Sequence, residues 1–380
     1  MGTGTDGAWA RVVARRYHTH APGLVYALLT VLLVFGAINT QNNLLFFMFG
    51  LAVCGIIVSG LLSGAALMGV RVRREVLGPA QAGGELRVRY HITNRSLFVP
   101  AGALVIEELP RWKAGRHVSV WANFLGPVAA SAAWVPARGS VVVEASTSAR
   151  RRGLATFDVL RVSTTFPFGI ALKSVVFSQP EGVVVRPWVA PVRREVWRRV
   201  AGTGGAPGQR RKVRALGGEF FSLREYASGD SVRAIAWRAS ARRGELLVRE
   251  VGERGPRIVW LSPVLGAEPL AREKVVSLAA GLARSAAAHG FEVGCMVGDR
   301  TLPPATGERQ AHRVLDWLAG LDDAGEGSPG VRVSVQGGGS VTFGPLDPAC
   351  VPSGAWSAMP APEVVVPPRT WWRRWIGGGR

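Results

Sequence analysis

Ionisable side chains concentrate between Gly217 and Glu250, where the sequence reads GGEFFSLREYASGDSVRAIAWRASARRGELLVRE. Opposite charges stand beside apolar residues there, a pattern typical of ion pairs that are partly buried against a core. We therefore expect a network of paired charges that either stabilises this segment or binds a partner. The residues of this predicted network are Glu219, Arg224, Glu225, Asp230, Arg233, Trp237, Ser240, Arg242, Arg249 and Glu250.

Local signals predict that a strand, a short helix and a second strand hold these charges together. Phe220 to Tyr226 has strand character, and Ala227-Ser228-Gly229 is a turn sequence. Asp230 is suited to cap a helix, because its carboxylate can accept the free N–H groups of the first turn. Apolar residues at helical spacing then continue to Arg243-Gly244, after which Leu246-Leu247-Val248 returns as a strand.

Catalytic and metal-binding motifs do not accompany these charges. The six histidines lie outside recognisable catalytic motifs, and the chain contains no GxSxG, HExxH or P-loop sequence. Cys54, Cys295 and Cys350 have neither CxxC nor zinc-ligand spacing. We therefore predict no catalytic residue, no metal site and no cofactor, with a membrane-associated enzyme of unknown reaction as an alternative.

The charged segment resembles the signature of the family called domain of unknown function fifty-eight. Two upstream features, Arg152-Gly153 and Phe166-Pro167-Phe168-Gly169, also resemble that family. The two apolar runs near the N-terminus and the order of the parts match it as well, so the resemblance spans about residues 20 to 320. The runs that carry it in the charged segment are Glu219-Phe220, Leu223-Arg224-Glu225-Tyr226, Gly229-Asp230, Arg233-Ala234-Ile235-Ala236-Trp237, Ser240-Ala241-Arg242 and Val248-Arg249-Glu250.

The resemblance implies a membrane-anchored bacterial protein with a von Willebrand factor A-like C-terminal part and no established enzymatic activity. It also implies that the protein is a partner of a MoxR-type AAA+ ATPase in assembling or maturing protein complexes.

A working metal site of the von Willebrand A kind has Asp-x-Ser-x-Ser after its first strand, whereas this chain has Ser262-Pro263-Val264-Leu265-Gly266. Because the carboxylate that would bind Mg²⁺ is missing, we expect no metal-dependent ligand binding.

Two apolar runs near the N-terminus predict a membrane-spanning helical hairpin. Leu24 to Ile38 and Leu44 to Met68 contain no charged residue, and a helix needs about 20 residues to cross a hydrocarbon core about 30 Å thick. Only the polar turn Asn39 to Asn43 separates the two runs. A secreted protein with a cleaved signal peptide is the alternative, but no small-residue cleavage site follows the first run.

Charges beside the hairpin predict its orientation. Three arginines precede the hairpin and three follow it, whereas the connecting turn has no basic residue. Positive charge near membrane-spanning segments favours the cytoplasmic side. We therefore predict a two-pass protein of the inner cell membrane, with both termini and the main domains in the cytoplasm. The flanking residues are Arg11, Arg15, Arg16, Arg71, Arg73 and Arg74.

The rest of the chain predicts a multi-domain protein. After the hairpin, short runs in which apolar and polar residues alternate lie between turn residues, which predicts an antiparallel β-sandwich. From Arg257 onward, predicted strands alternate with predicted helices over Pro269 to His289 and Gln310 to Leu321. This order predicts an α/β domain with a parallel sheet. The predicted domains are a cytoplasmic segment 1–22, two transmembrane helices 23–70, the β-sandwich 71–190, a basic linker 191–218, the signature with the α/β von Willebrand A-like domain 219–344, and a disordered tail 345–380.

The net charge of +20 favours partners of opposite charge. For a chain tethered to the inner leaflet, anionic lipid is the simpler partner, and nucleic acid is disfavoured because no nucleic-acid-binding motif is present. Trp371, Trp372, Arg373, Arg374 and Trp375 have the composition of an interfacial membrane contact, with docking on the protein body as an alternative. Our hypothesis is a membrane-anchored, non-enzymatic interaction protein with a cytoplasmic protein partner; a membrane-tethered binder of nucleic acid or anionic lipid is the alternative.

Overall fold

A computed structural model of the chain describes residues 9–18, 21–110, 112–113, 116–117, 121–203, 211–212, 219–253, 257–321, 329–335, 339–345, 347–352 and 354–360. The chain divides into two compact units. The first contains Met1–Trp188 with two short later segments, Leu318–Leu321 and Met359–Arg380, and the second contains Val189–Trp317 and Asp322–Ala358.

The first unit begins with a strand and a helical hairpin. Strand β1 (Arg11–His18) precedes helix α1 (Ala21–Thr40), and helix α2 (Asn43–Met68) follows after a two-residue turn. The Asn42 side chain begins α2 by accepting a hydrogen bond from the backbone N–H of Leu44 at 2.8 Å. Both helices are long and apolar enough to cross a membrane, and only 11% and 6% of their most apolar windows are buried within the protein.

Strands form the rest of the described first unit, and nearly all of their pairings are antiparallel, which confirms the antiparallel part of the predicted fold. The strands are β2 (Val70–Val76), β3 (Ala80–Gln81), β4 (Glu85–Asn94), β5 (Ala101–Leu109), β6 (Trp112–Lys113), β7 (Arg116–His117), β8 (Ala129–Val135), β9 (Ser140–Ser148), β10 (Gly153–Thr164) and β11 (Leu172–Arg186). One sheet has the order β1-β11-β10-β5-β8, with the short strand β3 parallel to β11, and another has the order β2-β4-β9.

Alternate side chains of both sheets meet in one hydrophobic core. Tyr90 and Ile92 of β4 are buried there with Leu104 and Ile106 of β5 and with Phe157 of β10.

Strand β1 was not predicted, because Arg11, Arg15 and Arg16 made its sequence resemble a free basic segment. Its backbone pairs with β11 from Arg11 opposite Ser178 to His18 opposite Leu172. The segment before the hairpin is therefore part of the folded unit.

The second unit starts with helix α3 (Glu195–Thr203), inside the stretch 191–218 that was predicted to be a basic linker. Val196, Trp197 and Val200 of this helix are buried. The Trp197 indole N–H donates to the Ser285 hydroxyl at 2.7 Å, and its ring stacks on Phe291 with centroids 5.2 Å apart. The first part of the predicted linker is therefore a packed helix. The sequence did not indicate it, because arginines surround these apolar residues. Residues 204–210 and 213–218 lie outside the described residues.

Two sheets and three further helices complete the second unit. The elements are β12 (Arg211–Lys212), β13 (Glu219–Glu225), α4 (Trp237–Arg243), β14 (Leu247–Glu253), β15 (Ile258–Val264), α5 (Pro269–Ala288), β16 (Glu292–Val297), β17 (Arg300–Ala305), α6 (Glu308–Ala319), β18 (Gly330–Val335) and β19 (Ser340–Phe343). A three-stranded sheet has the order β12-β14-β13, and a five-stranded sheet has the order β17-β16-β15-β18-β19.

The five-stranded sheet is mixed, whereas a parallel sheet was predicted. Only β15 and β16 pair in parallel, and β18 is antiparallel to β15. The difference comes from β17, which the sequence analysis missed and which folds back antiparallel onto β16 after a turn at Gly298. Because β17 reverses the chain before α6, the strand after α6 enters the sheet in the opposite direction. Pro303 and Pro304 obscured β17, since proline is confined to the edges of sheets.

The predicted disordered tail, 345–380, begins with ordered structure. Cys350 and Val351 are buried, and the backbone N–H of Arg193 donates to the carbonyl of Cys350 at 2.9 Å. The glycine, proline and serine content suggested disorder, but this segment packs through its few apolar side chains. Residues 361–380, with the Trp371 to Trp375 cluster, lie outside the described residues.

Candidate functional site

A β-hairpin with a short helix between its strands builds the predicted signature segment. Strands β13 and β14 are antiparallel, with Glu225 opposite Leu247. Where the hairpin opens, the backbone N–H of Tyr226 donates to the carbonyl of Leu246 at 2.8 Å, and that of Ala236 donates to the carbonyl of Leu247 at 2.8 Å. The residue after β13, the start of α4 and the start of β14 therefore meet at one place.

Arg224 and Asp230 form the central ion pair of this segment. Both guanidinium Nη atoms donate to the two Asp230 carboxylate oxygens at 2.6 Å, a bidentate geometry that strengthens and orients the pair. The same carboxylate accepts the backbone N–H of Ala227 at 2.9 Å. Asp230 was predicted to cap a helix, and that prediction is wrong. Its carboxylate closes the preceding turn, and the 3₁₀ turn Val232–Ala234 begins after Ser231 instead.

Ser240 joins α4 to β14. Its buried hydroxyl accepts the backbone N–H of Leu247 at 2.9 Å and donates to the carbonyl of Ala236 at 3.1 Å. The helix then ends at Gly244, whose positive φ of 77° forms a left-handed C-cap. Ser240 therefore fixes the position of the helix and is not displayed to a partner.

Large apolar side chains are exposed around the same place. Trp237, the first residue of α4, is 60% exposed. Tyr226 and Leu246, whose backbones are hydrogen-bonded to each other, are exposed as well. We call Tyr226, Trp237 and Leu246 the Trp237 surface. Exposed aromatic residues in a group are unusual in a monomer and mark contact sites.

The other residues of the predicted network are dispersed. Glu225, Arg233, Arg242 and Arg249 are exposed, and they form no salt bridge within the described part of the chain. Glu219 lies at the start of β13 and Glu250 within β14, but their side chains lie outside what the structure describes. The structure therefore brings Arg224 and Asp230 together and leaves Arg233, Arg242 and Arg249 exposed in the same segment.

A buried ion network lies in the first unit, where the sequence analysis did not predict one. Arg74 Nη1 donates to both Glu108 carboxylate oxygens at 2.8 Å, and Arg74 Nε donates to Glu181 at 3.0 Å. The Tyr90 hydroxyl donates to Glu108 at 2.9 Å, and burial together with the Glu108 charge raises the pKa of Tyr90. The guanidinium also donates to the carbonyls of Phe157 and Gln179.

Strand alternation could have revealed this network. Val70 and Val72 are buried in β2, and Arg74 follows in the same inward-facing alternation. Glu108 likewise follows Leu104 and Ile106 in β5. The network ties β2 and β4 of one sheet to β5, β10 and β11 of the other. Since its charges face one another in the core, its role is architectural.

Strand β15 runs on through Ser262 and Pro263 to Val264, and the five residues Ser262 to Gly266 include no carboxylate. Within the described residues there is no group of three or more His, Cys, Asp or Glu side chains that could hold a metal ion.

The described chain is thus a two-unit protein with two N-terminal helices that could span a membrane and with several antiparallel sheets. Residues 222–336 match the family model described as Protein of unknown function DUF58. The match begins within β13, contains the Trp237 surface and ends just after β18. It does not extend to the upstream features at Arg152-Gly153 and Phe166 to Gly169. A comparison with curated proteins gives no match.

Proposed function

We propose that the protein is a membrane-anchored, non-enzymatic interaction protein whose Trp237 surface binds a cytoplasmic protein. The exposed apolar faces of α1 and α2 support membrane anchoring. Leu32, Phe35, Phe47 and Leu61 are all more than half exposed, and each such side chain would gain about 1.5–3 kcal/mol by leaving water. A lipid bilayer provides that environment for both helices at once.

The path of the chain supports placing both ends of the hairpin on one side of the membrane. Strand β1 precedes α1 and pairs with β11, whereas β2 follows α2 and pairs with β4. Because β1 and β2 belong to the same folded unit, the hairpin leaves and re-enters that unit. The basic residues beside the hairpin favour the cytoplasmic side for this unit. Arg74 is buried in the ion network, so the orientation depends on the other flanking arginines.

The exposure of Trp237 is the single observation that carries the proposed interaction. This side chain begins a helix inside the segment that matches the family model, yet 60% of it is exposed. Tryptophan is enriched among the residues that dominate binding energies. Exposed Arg233, Arg242 and Arg249 surround it in the sequence, which suits a partner surface that carries acidic residues.

We propose a MoxR-type AAA+ ATPase as the partner, with a role in assembling or maturing protein complexes. The support for this choice is the resemblance of the signature segment, and the exposed arginines agree with it. The lack of a catalytic motif in the sequence supports a non-enzymatic role.

Co-purification from native membranes tests the proposal. Full-length wild-type protein and the Trp237→Ala and Leu154→Ala variants are isolated in mild detergent. Leu154 is an equally exposed apolar side chain of the first unit and is therefore the matched control. We expect an AAA+ ATPase to accompany the wild-type and Leu154→Ala proteins and to be lost with Trp237→Ala. Recovery of no AAA+ ATPase, or equal recovery with Trp237→Ala, would contradict the proposed partner and surface.

Topology is tested separately in intact cells. An engineered thiol at exposed Arg242 should resist a membrane-impermeant maleimide until the cells are opened, because the second unit is proposed to lie in the cytoplasm. Labelling from outside intact cells would refute the orientation, and extraction of the full-length chain by alkaline carbonate would refute anchoring.

A further inference from the structure

One end of the first unit carries both junctions with the apolar helices. Strand β1 ends at His18 opposite Leu172, just before α1. Strand β2 starts at Val70 opposite Asn94, just after α2. The strand partners at this end place three loops beside the junctions, because Ala101 pairs with Val135 and Thr164 pairs with Leu104. We call residues 95–100, 136–139 and 165–171 the end loops.

Direct contacts hold the end loops against the helix ends. The backbone N–H of Arg95 donates to the carbonyl of Gly69, the C-cap of α2, at 2.8 Å, and the N–H of Arg138 donates to the carbonyl of Ser96 at 3.0 Å. On the other helix, a Cβ at Gly23 would lie only 2.1 Å from the carbonyl oxygen of Ile170. The loops are therefore fixed in position relative to both helices.

Apolar side chains project from the end loops without covering the core. Phe98 is 88% exposed, Phe168 is 59% exposed, and Leu97 is exposed beside Phe98. Trp134, at the end of β8, is exposed as well and meets Phe166 edge-on with ring centroids 5.7 Å apart. Aromatic residues in this arrangement are typical of the interface between lipid and water.

The charges of the end loops suit an anionic surface. Arg95 and Arg138 are exposed, and the three loops contain no acidic residue. Beside them, Lys173 donates to the carbonyl of Gly60 in α2 and lies 5.1 Å from the centroid of the exposed Tyr17 ring. Basic residues near a cytoplasmic leaflet are attracted to the anionic lipids of that leaflet.

Helix length places the end loops at the depth of the headgroups. Helix α2 has 26 residues, which corresponds to about 39 Å at 1.5 Å per residue, against a hydrocarbon core of about 30 Å. The last turns of α2 therefore extend beyond the core, and there Ser63, Ala66 and Leu67 are buried in the first unit. Gly69 and the loop bonded to it then lie within the zone of the lipid headgroups.

We propose that the end loops are a second membrane contact, which seats the first unit directly on the lipid surface. Leu97, Phe98 and Phe168 enter the interfacial layer, and Arg95 and Arg138 bind the phosphates of anionic lipids. The occupant of this surface is lipid because the same end continues into the two apolar helices. This inference rests on the membrane anchoring in the proposed function. It adds that the first unit contacts the lipid surface directly and is held at a fixed depth relative to the lipid headgroups.

Fluorescent probes at single cysteines test the contact in the full-length protein. In a Cys54→Ala background, NBD is attached to Phe98→Cys, to Phe168→Cys or to the control Leu154→Cys, which is 61% exposed near the opposite end of β10. Cys295 and Cys350 are buried and remain unlabelled. Each protein is placed in nanodiscs that contain phosphatidylglycerol and lipids brominated near the headgroup.

We expect lipid bromine to quench the Phe98 and Phe168 probes several-fold more than the Leu154 probe, and aqueous iodide to show the reverse order. Equal quenching of the three probes by bromine, or equal access of iodide to them, would overturn the proposal. A probe at Phe47→Cys in α2 distinguishes the two levels of failure. Strong bromine quenching at Phe47 without quenching at Phe98 refutes only the seating, whereas no quenching at Phe47 refutes membrane anchoring and with it the seating.

Discussion

Removal of the Arg74 side chain is the sharpest test of how the first unit is held together. Arg74 and Glu108 side chains are both 0% exposed, and Arg74 donates to Glu108, to Glu181 and to two backbone carbonyls. Arg74→Met preserves most of the aliphatic volume beside the Phe157 ring, which lies 5.0 Å from the guanidinium carbon. The substitution therefore removes charge and hydrogen bonds without leaving a large cavity.

We expect this variant to lose about 3–5 kcal/mol of unfolding free energy, because it leaves the Glu108 carboxylate buried without its cation. A second substitution, Glu108→Gln, should restore a large part of the loss, since the oxygen of a neutral amide can still accept the hydrogen bond from the Tyr90 hydroxyl. The remaining deficit should be about 1–3 kcal/mol, the usual cost of imperfectly paired buried polar groups.

The loss should also depend on pH. Burial raises the pKa of Glu108, and Arg74 opposes that rise. Without Arg74 the pKa of Glu108 in the folded variant moves further above its unfolded value. A group whose folded pKa is raised loses its stabilising contribution as the pH rises through the folded pKa. The destabilisation of Arg74→Met should therefore be largest in alkaline buffer and should shrink on acidification.

Hydrogen exchange followed by mass spectrometry measures this effect within each unit of the full-length protein in detergent. A loss of about 4 kcal/mol corresponds to exchange about a thousand times faster in peptides from β4 and β10. Arg89→Met is the matched control, because Arg89 forms a partly exposed cross-strand pair with Glu144 at 2.8 Å. That variant should lose only about 0.2–1 kcal/mol. Equal exchange in the two variants, or a double variant no better than Arg74→Met, would refute the architectural role of the network.

Three further predictions concern the second unit. Trp237→Ala should change the opening free energy of helix α4, measured by hydrogen exchange, by no more than about 0.5 kcal/mol, since the side chain is exposed. Ser240→Ala should lower the same free energy by about 1–3 kcal/mol, because the Leu247 N–H loses its acceptor. The opposite ranking of the two variants would contradict the assigned roles. Asp230→Ala should speed exchange in the turn that its carboxylate closes, and unchanged exchange there would show that the bond to Ala227 is unimportant. Burial raises the pKa of Cys295 to about 12 and that of Cys350 to about 12. Both thiols should therefore resist maleimide at pH 8 until denaturant is added. Rapid labelling of the native protein would refute their burial.

Periodicity in the sequence was enough to locate most regular elements. The helix predicted over Pro269 to His289 is α5, Pro269–Ala288, and Gly290 follows it with a positive φ of 76°. The two uncharged apolar runs correspond to α1 and α2. These elements were predictable because their signals are local, namely apolar spacing, chain-breaking residues and the absence of charge.

Pairings between distant segments could not be obtained in this way. The partner of Asp230 is decided by where the turn after β13 directs its carboxylate, and the sequence pattern favoured a helix cap equally well. The direction of β18 was decided by β17, a short proline-containing edge strand with a weak local signal. The exposure of Trp237 likewise depends on which face of α4 packs against β14.

Neighbouring residues encode the two apolar helices, the regular alternation of strands and the signature segment that the family model matches, so all three could be predicted without coordinates. The folded structure was needed to show that Arg74 is buried against Glu108, that Trp237 is exposed, and that Phe98 and Phe168 project beside the helix junctions. Burial is a property of what other segments place around a side chain, so residues of one type can stabilise a core in one unit and remain available for binding in another.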